Sequence, residues 1–410
     1  MSKLEPFPDL FSEIKRAQTI IGEVAHHTPM EASRTFSQIT GGEVYLKLEN
    51  IQRTGSFKIR GAYYILTRLI RERGIESCIA ASAGNHAQGV AYAASKAGIT
   101  STVVMPESTP AAKIMATKGY GAKVILHGAS YKDAYERALE IHSEKKSAFI
   151  HPFDEPEIIA GQGTIGVEMI NDMPDLDVVA VPVGGGGLIS GVSVAVKNLK
   201  PRVKVYGVQS AGAPSMARSL EEGKIVSVPL TATIADGIAV DKPGEHTFKI
   251  VRELVDDVVT VGDEAIAHAM FMLLERSKLV VEPAGATGLA ALLTGKIDVE
   301  GRKVGVVISG GNVDMPILTR VIERSLFEEG RLVKIYGSLP DKPGMLRRVL
   351  MTVARARANV VTIEHDRTST NIKPGWADVT ITLEIPAEIY VEELIRRLRK
   401  AGHDFHIQPH

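Results

Sequence analysis

Short β-branched runs alternate with longer stretches of helical periodicity through most of the chain. Strands are predicted at Ser77–Ser82, Ser101–Pro106, Lys123–His127 and Ala148–His151, and again at Asp177–Val183, Lys204–Gln209 and Lys303–Ser309. These runs lack the polar alternation of a half-exposed sheet, so the pattern predicts strands buried on both faces and a parallel α/β architecture. Asn85 opens a helical pattern that sets Ala87, Val90, Ala91 and Ala94 on one apolar face. In such sheets ligands bind beyond the carboxyl ends of the strands, which makes the strand-to-helix turns the places to look for chemistry.

Near residue 330 the rhythm changes. Leu332–Leu339 reads as a strand, Gly344–Arg357 as a helix, Val360–Glu364 and Ala377–Ile385 as strands, Val391–Ala401 as a helix and Phe405–Gln408 as a last short strand. That order, β-α-β-β-α-β, is the ferredoxin-like arrangement. Phe327-Glu328-Glu329-Gly330 precedes it as a short linker. No tandem repeat or low-complexity tract interrupts the chain.

Composition narrows the picture. The 410 residues allow two to four compact units at roughly 100 to 200 residues each. Lys plus Arg total 48 and Asp plus Glu total 48, so no net field exists to attract nucleic acid or an anionic membrane. Small molecules and copies of the chain itself, as a homodimer or homotetramer, are the expected partners. The single cysteine, Cys78, lies in an apolar run and reads as a buried small hydrophobe. The absence of any possible intrachain disulfide fits a reducing cytoplasm, and Met1-Ser2-Lys3-Leu4-Glu5-Pro6 lacks the apolar stretch of a secretory signal. Val178 to Val196 is apolar enough to raise the question of a membrane span, but Pro182 and Gly184–Gly187 would break a helix in lipid. A buried strand and a glycine turn fit it better.

Four turns carry candidate chemistry. At Gly184-Gly185-Gly186-Gly187-Leu188 a strand feeds glycines and then a helix, so backbone N–H groups can converge on a phosphate; taken alone, the run also suits a flexible turn. It does not fit the dinucleotide or nucleoside triphosphate glycine patterns. In Thr54-Gly55-Ser56-Phe57-Lys58-Ile59-Arg60, Ser56 reads as an N-cap, which places Lys58 in the first helical turn. The positive helix end there lowers its pKa, as a Schiff-base amine requires. Ser82-Ala83-Gly84-Asn85-His86 offers small residues, free N–H groups and a hydroxyl to a carboxylate, or else is a turn capped by Asn85 or Ser82. Ser309-Gly310-Gly311-Asn312 ends a strand with a hydroxyl.

Together these motifs resemble the fold type II pyridoxal phosphate enzymes, and within them the threonine and serine dehydratases, over about residues 10 to 325. The resemblance implies a tryptophan synthase β-like core of two parallel-sheet domains. A large cofactor-binding domain would comprise 1–52 and 146–325 and a small one 53–145, followed by a linker at 326–331. It further implies that Lys58 joins the cofactor aldehyde and is the catalytic residue, with Phe57 beside the ring. Asn85 would meet the ring hydroxyl, Gly184, Gly185, Gly186, Gly187 and Leu188 the phosphate, and Ser309 the pyridine nitrogen. Ser82, Ala83, Gly84, Asn85 and His86 would hold the substrate carboxylate, with Gly237 and Glu282 facing the same cleft. The activity so implied is dehydration and deamination of L-threonine to 2-oxobutanoate and ammonia by a carbon–nitrogen lyase, with some action on L-serine. A serine dehydratase, a serine racemase-like enzyme, another β-eliminating or β-replacing member and a silent amino acid sensor are the alternatives. The neutral Ser309 hydroxyl cannot keep the ring nitrogen protonated as a carboxylate would, which favours prompt loss of the β-hydroxyl.

Two departures separate the chain from the similar serine racemases. Those carry Ser-Ser-Gly-Asn-His, whose second serine moves a proton on the opposite face; here that position is Ala83. They also carry carboxylates for a divalent cation after a Gly-Val strand, where this chain has Gly207-Val208-Gln209-Ser210-Ala211-Gly212-Ala213-Pro214-Ser215, and no metal is expected. The segment 332–410 resembles an ACT domain, a regulatory module for amino acids. That likeness rests on the turn Asp341–Gly344, which opens a helix at Met345, and on Asn359 before the next strand. Isoleucine is the first expected effector and valine the second, because 2-oxobutanoate feeds isoleucine synthesis in the pathway the resemblance implies. An inert dimerisation module is the alternative.

Overall fold

The computed structural model describes residues 7–145, 147–385 and 389–408. The amino-terminal hexapeptide and the domain boundary expected at residue 146 lie outside the described residues. Strands β1 (Met30–Ala32) and β2 (Glu43–Lys47) pair antiparallel. The chain then builds a second sheet from β3 (Ser77–Ala81), β4 (Thr100–Met105), β5 (Lys123–Leu126) and β6 (Ala148–Phe149), all parallel, in the order β5-β4-β3-β6. It returns to the first sheet with β7 (Val178–Pro182), β8 (Lys204–Ser210), β9 (Asp257–Val261) and β10 (Lys303–Val307). That sheet runs β1-β2-β10-β7-β8-β9 and is parallel except at β1.

The parallel α/β core predicted from unbroken apolar runs is therefore present. β7 is buried at every residue because helices cover both faces of its sheet. Val179, Val181, Ile189, Val192 and Val205 form part of one core there, each contributing roughly 1.5–3 kcal/mol by leaving water. The stretch 178–196 resolves into β7, a glycine turn and the helix Gly187–Leu199, and among the described residues no helix is long and apolar enough to cross a membrane. Cys78 is buried in the second sheet, and burial pushes its thiol up to about 12. Strands β1, β2 and β9 escape the sequence pattern. The first and last are sheet edges, where exposed polar residues break the run, and β2 carries charge at both ends, in Glu43 and Lys47.

Two features seat the Lys58 helix (Lys58–Arg73). It crosses the helix Pro156–Asp172 backbone to backbone: a methyl on Gly161 would lie 2.5 Å from the Gly61 Cα, and one on Gly61 would lie 2.8 Å from the Ile158 carbonyl. Immediately before Gly61, the fully buried Arg60 binds Glu49 at 2.8 Å and Glu168 at 2.6 Å, while the buried Lys47 binds Glu168 at 2.6 Å. Two cations thus meet two carboxylates with no net charge. Burial opposes ionisation of Glu49, yet Arg60 overrules it and holds the carboxyl below the usual range.

Two compact units divide the chain, one reaching to Asp314 and one beginning at Met315. The second opens with the helix Met315–Glu328 and continues as β11 (Leu332–Pro340), the helix Met345–Arg355, β12 (Asn359–Asp366), β13 (Trp376–Glu384), the helix Ile389–Lys400 and β14 (Phe405–Ile407). Its antiparallel sheet runs β12-β13-β11-β14, in the predicted β-α-β-β-α-β order. Where a linker is expected at 326–331, a helix is still running to Glu328, and the chain turns at Gly330 with φ 66°. Val333, Ile335, Val349, Val379, Ile381, Leu394 and Phe405 give this unit its own core.

Candidate active site

Lys58 is the first residue of its helix, but Ser56 does not cap it. Phe57 occupies the cap position without a side-chain bond, and Ser56 is drawn into a bridge with Gly310, its hydroxyl buried and unpartnered. The segment before the helix is stitched to the turn after β10. Phe57 N–H donates to the Ser309 carbonyl at 3.2 Å and Gly311 N–H to the Gly55 carbonyl at 2.8 Å. The Lys58 ammonium donates to the Pro152 carbonyl at 2.8 Å. Burial lowers its pKa to about 8, against the opposing charge of Glu282. The depression expected from the helix end has desolvation as its leading cause.

The turn after β3 places Gly84 as the cap and Asn85 as the first residue of the helix Asn85–Ala97. Ser82 Oγ accepts from Gly84 N–H at 3.2 Å. His86 is turned inward: its Nε2 lies 3.0 Å from the Ile150 carbonyl, which only accepts, so that nitrogen carries the proton. Burial, and then the Lys58 charge, push the imidazole down to about 3, so it is neutral and offers the turn only its backbone. Asn85 Nδ2 donates to Glu282 Oε1 at 2.6 Å, and its Oδ1 accepts from Asn312 Nδ2 at 2.7 Å. Burial and then Asp236 raise Glu282 to about 7, with the Asn85 hydrogen bond acting against them. Gly237 lies beside it, since a methyl there would sit 3.9 Å from Glu282 Oε1. Gly310 leaves room for that carboxyl: a methyl there would fall 2.2 Å from the same oxygen and displace it.

After β7 the chain enters Gly184–Leu188. The N–H groups of Gly184, Gly185 and Gly186 donate to no protein acceptor among the described residues. Gly186 has φ 101° and caps the helix Gly187–Leu199. A methyl on Gly185 would overlap the Phe153 ring at 2.4 Å, and one on Gly186 would meet Thr247 at 2.7 Å. Thr247 Oγ1 donates to the Gly185 carbonyl at 2.6 Å. Asp154 accepts N–H bonds from Glu245, His246 and Thr247, capping the helix Glu245–Leu254 that walls the loop. Pro152 and Phe153 thus touch Lys58 and the glycines from adjacent positions. Sequence reasoning missed Pro152, Phe153, Asp154 and Thr247, because no local pattern marks a residue whose partner lies between 32 and 94 positions away.

These residues fit pyridoxal phosphate. Unpaired N–H groups at a helix start suit its phosphate, a buried amine of lowered pKa suits its aldehyde, and the buried Ser309, whose hydroxyl bonds to no described residue, suits its ring nitrogen. Among the described residues no group of His, Cys, Asp and Glu is arranged to hold a metal ion. In the loop after β8, Ser210 Oγ instead lies 2.7 Å from Thr233 Oγ1, which donates to Asp263 at 2.6 Å.

The four residues read as regulatory lie in the second unit. Asp341 pairs with Arg367 at 3.1 Å, Gly344 caps the next helix at φ 87°, and Met345 packs on the core. Asn359 Nδ2 donates to Glu384 Oε2 at 3.4 Å. Glu384 pairs with Leu332, at the start of β11, whereas Asp341 follows its end. The 9-residue strand therefore sets Asn359 and Asp341 roughly 25–30 Å apart within one chain.

The family model described as pyridoxal-phosphate dependent enzyme matches residues 22–310. An L-threonine ammonia-lyase of Thermotoga maritima is 49% identical over 395 residues, spanning 96% of this chain and 98% of its own. The solved structure of processed threonine deaminase isoform 2 from Solanum lycopersicum superposes with TM-score 0.74 at 37% identity, covering 78% of this chain and 88% of that one. The structure of maize serine racemase gives TM-score 0.73 at 37% identity, covering 78% of this chain and 98% of the racemase.

Proposed function

This chain belongs to the pyridoxal-phosphate dependent enzymes, and on that premise we propose that it dehydrates and deaminates L-threonine to 2-oxobutanoate and ammonia. Bound pyridoxal phosphate supplies an aldehyde that condenses with amino groups and a ring that draws electron density from the α-carbon. The chain's own residues do the rest. Backbone N–H groups of Gly184–Leu188 would hold the phosphate, Phe57 would flank the ring, Asn85 would meet the ring oxygen and Ser309 the ring nitrogen. Backbone groups of Ser82–His86 bind the substrate carboxylate, with Gly237 and Glu282 bordering the same space. Lys58 is the base that takes the α-proton. The observation that carries this reading is its amine, buried at a helix start, lowered to about 8 and bound to the Pro152 carbonyl beside the glycine loop.

Threonine is the preferred substrate and serine a poorer one, since one methyl in a fitted pocket contributes about 1 to 3 kcal/mol. The names borne by the relatives support this order. Racemisation is disfavoured because Ala83 has only a methyl where proton transfer on the opposite face would need a hydroxyl. The reading extends to a cytoplasmic homodimer or homotetramer serving isoleucine biosynthesis, with segment 332–410 as an ACT-type unit for isoleucine or valine. The separation of Asn359 from Asp341 favours an effector site shared between two copies. A panel of hydroxy amino acids, followed by oxo acid formation, tests the substrate assignment; a kcat/KM favouring serine over threonine overturns it.

A further inference from the structure

Asn312 stands in the turn after β10, outside every role given above, and its hydrogen bonds leave no freedom of orientation. Its Nδ2 lies 2.8 Å from the Thr54 carbonyl, an atom that only accepts, so the amide nitrogen and not the oxygen faces that way. The second proton of the same nitrogen reaches Asn85 at 2.7 Å, which obliges Asn85 to present its oxygen. Asn85 must then turn its nitrogen the other way, where Glu282 Oε1 accepts one proton at 2.6 Å. One Asn85 N–H is left, with no acceptor among the described residues. Space for this chain of bonds is kept by a missing side chain: Gly55 has φ 70°, and a methyl there would lie 2.4 Å from Asn312 Oδ1.

We propose that Asn312 is a positioning residue that sets the amide of Asn85, through the fixed Thr54 carbonyl, so that a donor and not an acceptor faces the ring oxygen of the cofactor. The inference rests on the placement of Asn85 against that oxygen in the reading above. A donor there stabilises the ring oxygen as an anion, whereas a flipped amide would set a lone pair against it. Asn85 alone does not decide between the two orientations, because Glu282, with its carboxyl near neutrality, can serve as acceptor or donor. Asn312 decides, since its own nitrogen is committed to a carbonyl.

The test is a pH titration of the visible absorbance of the bound cofactor in purified holoenzyme. It compares wild type with Asn312→Asp, Asn312→Ala, Asn85→Ala and the double alanine variant, and adds thermal unfolding of each. Asn312→Asp keeps the shape but presents only oxygens, so it pulls the Asn85 nitrogen round. Both Asn312 variants should raise the titration midpoint by about one pH unit or more, the scale of one hydrogen bond lost to a charged oxygen. The double alanine variant should match Asn85→Ala alone. If Asn85→Ala shifts the midpoint while folded Asn312→Asp leaves it at the wild-type value, the positioning role is overturned and the site reading survives. Additive shifts in the double variant overturn it equally. If Asn85→Ala itself changes nothing, the placement of the ring against Asn85 fails and the inference falls with it.

Discussion

An amine whose pKa is about 8 is mostly protonated at neutral pH and becomes a nucleophile over a narrow window above it. Burial is the main cause, so the property belongs to the folded site and not to lysine as such. Cofactor uptake by the apoprotein should therefore quicken about tenfold per pH unit below 8 and level off above it, as stopped-flow absorbance between pH 6 and 10 can follow. A rate that keeps climbing toward 10.5 would show an ordinary, solvated lysine. Lys58→Ala should abolish both turnover and the covalent cofactor link, measured by oxo acid formation and by mass after borohydride reduction. Ala83 makes a third residue-scale prediction: L-serine should give pyruvate without appreciable D-serine, and chiral chromatography finding the two at similar rates would refute it.

At the scale of elements, Lys58 is held by a helix whose seat contains two glycines and four buried charges. A methyl on Gly161 meets backbone at 2.5 Å, which no rotamer change relieves. Gly161→Ala should cost about 1–3 kcal/mol in urea unfolding of the holoenzyme, and cofactor affinity should fall with it because the helix carrying Lys58 is displaced. Arg60→Met should cost about 3–5 kcal/mol, because it leaves Glu49 and Glu168 buried with only Lys47 between them. An unfolding midpoint unchanged by either substitution contradicts this account of the seat.

The whole molecule divides into a unit to Asp314 and a unit from Met315 with its own core. The maize serine racemase structure is covered to 98% by 78% of this chain. A chain ended after Glu329 is expected to retain cofactor and elimination activity and to lose any response to isoleucine. In the full chain, coupling of about 1–3 kcal/mol would change ligand affinity roughly 5-fold to 150-fold. Titration of isoleucine and valine into both forms, by calorimetry and by 2-oxobutanoate formation, checks it. An equal response in the shortened chain, or none in the full one, leaves a purely oligomerising tail as the account.

What the sequence by itself determined is whatever a few consecutive residues can encode. The unbroken apolar runs of β3, β7 and β10, the glycines of 184–187, the lysine opening a helix at 58 and the β-α-β-β-α-β order after 330 were all legible, because strand period, helix period and turn chemistry act over one or two turns of chain. Tertiary structure decided the rest. Ser56 reads as a cap and is instead pulled to Gly310. His86 reads as part of a carboxylate site, and its ring is buried against Ile150. The Asn85–Asn312, Lys58–Pro152 and Asp154–Glu245 bonds join residues 227, 94 and 91 positions apart. The pKa values of Lys58, His86 and Glu282 depend on the water excluded when those segments meet. Hydrogen-bond partners and solvation are properties of what lies nearby in space, and only the packed chain brings those neighbours together.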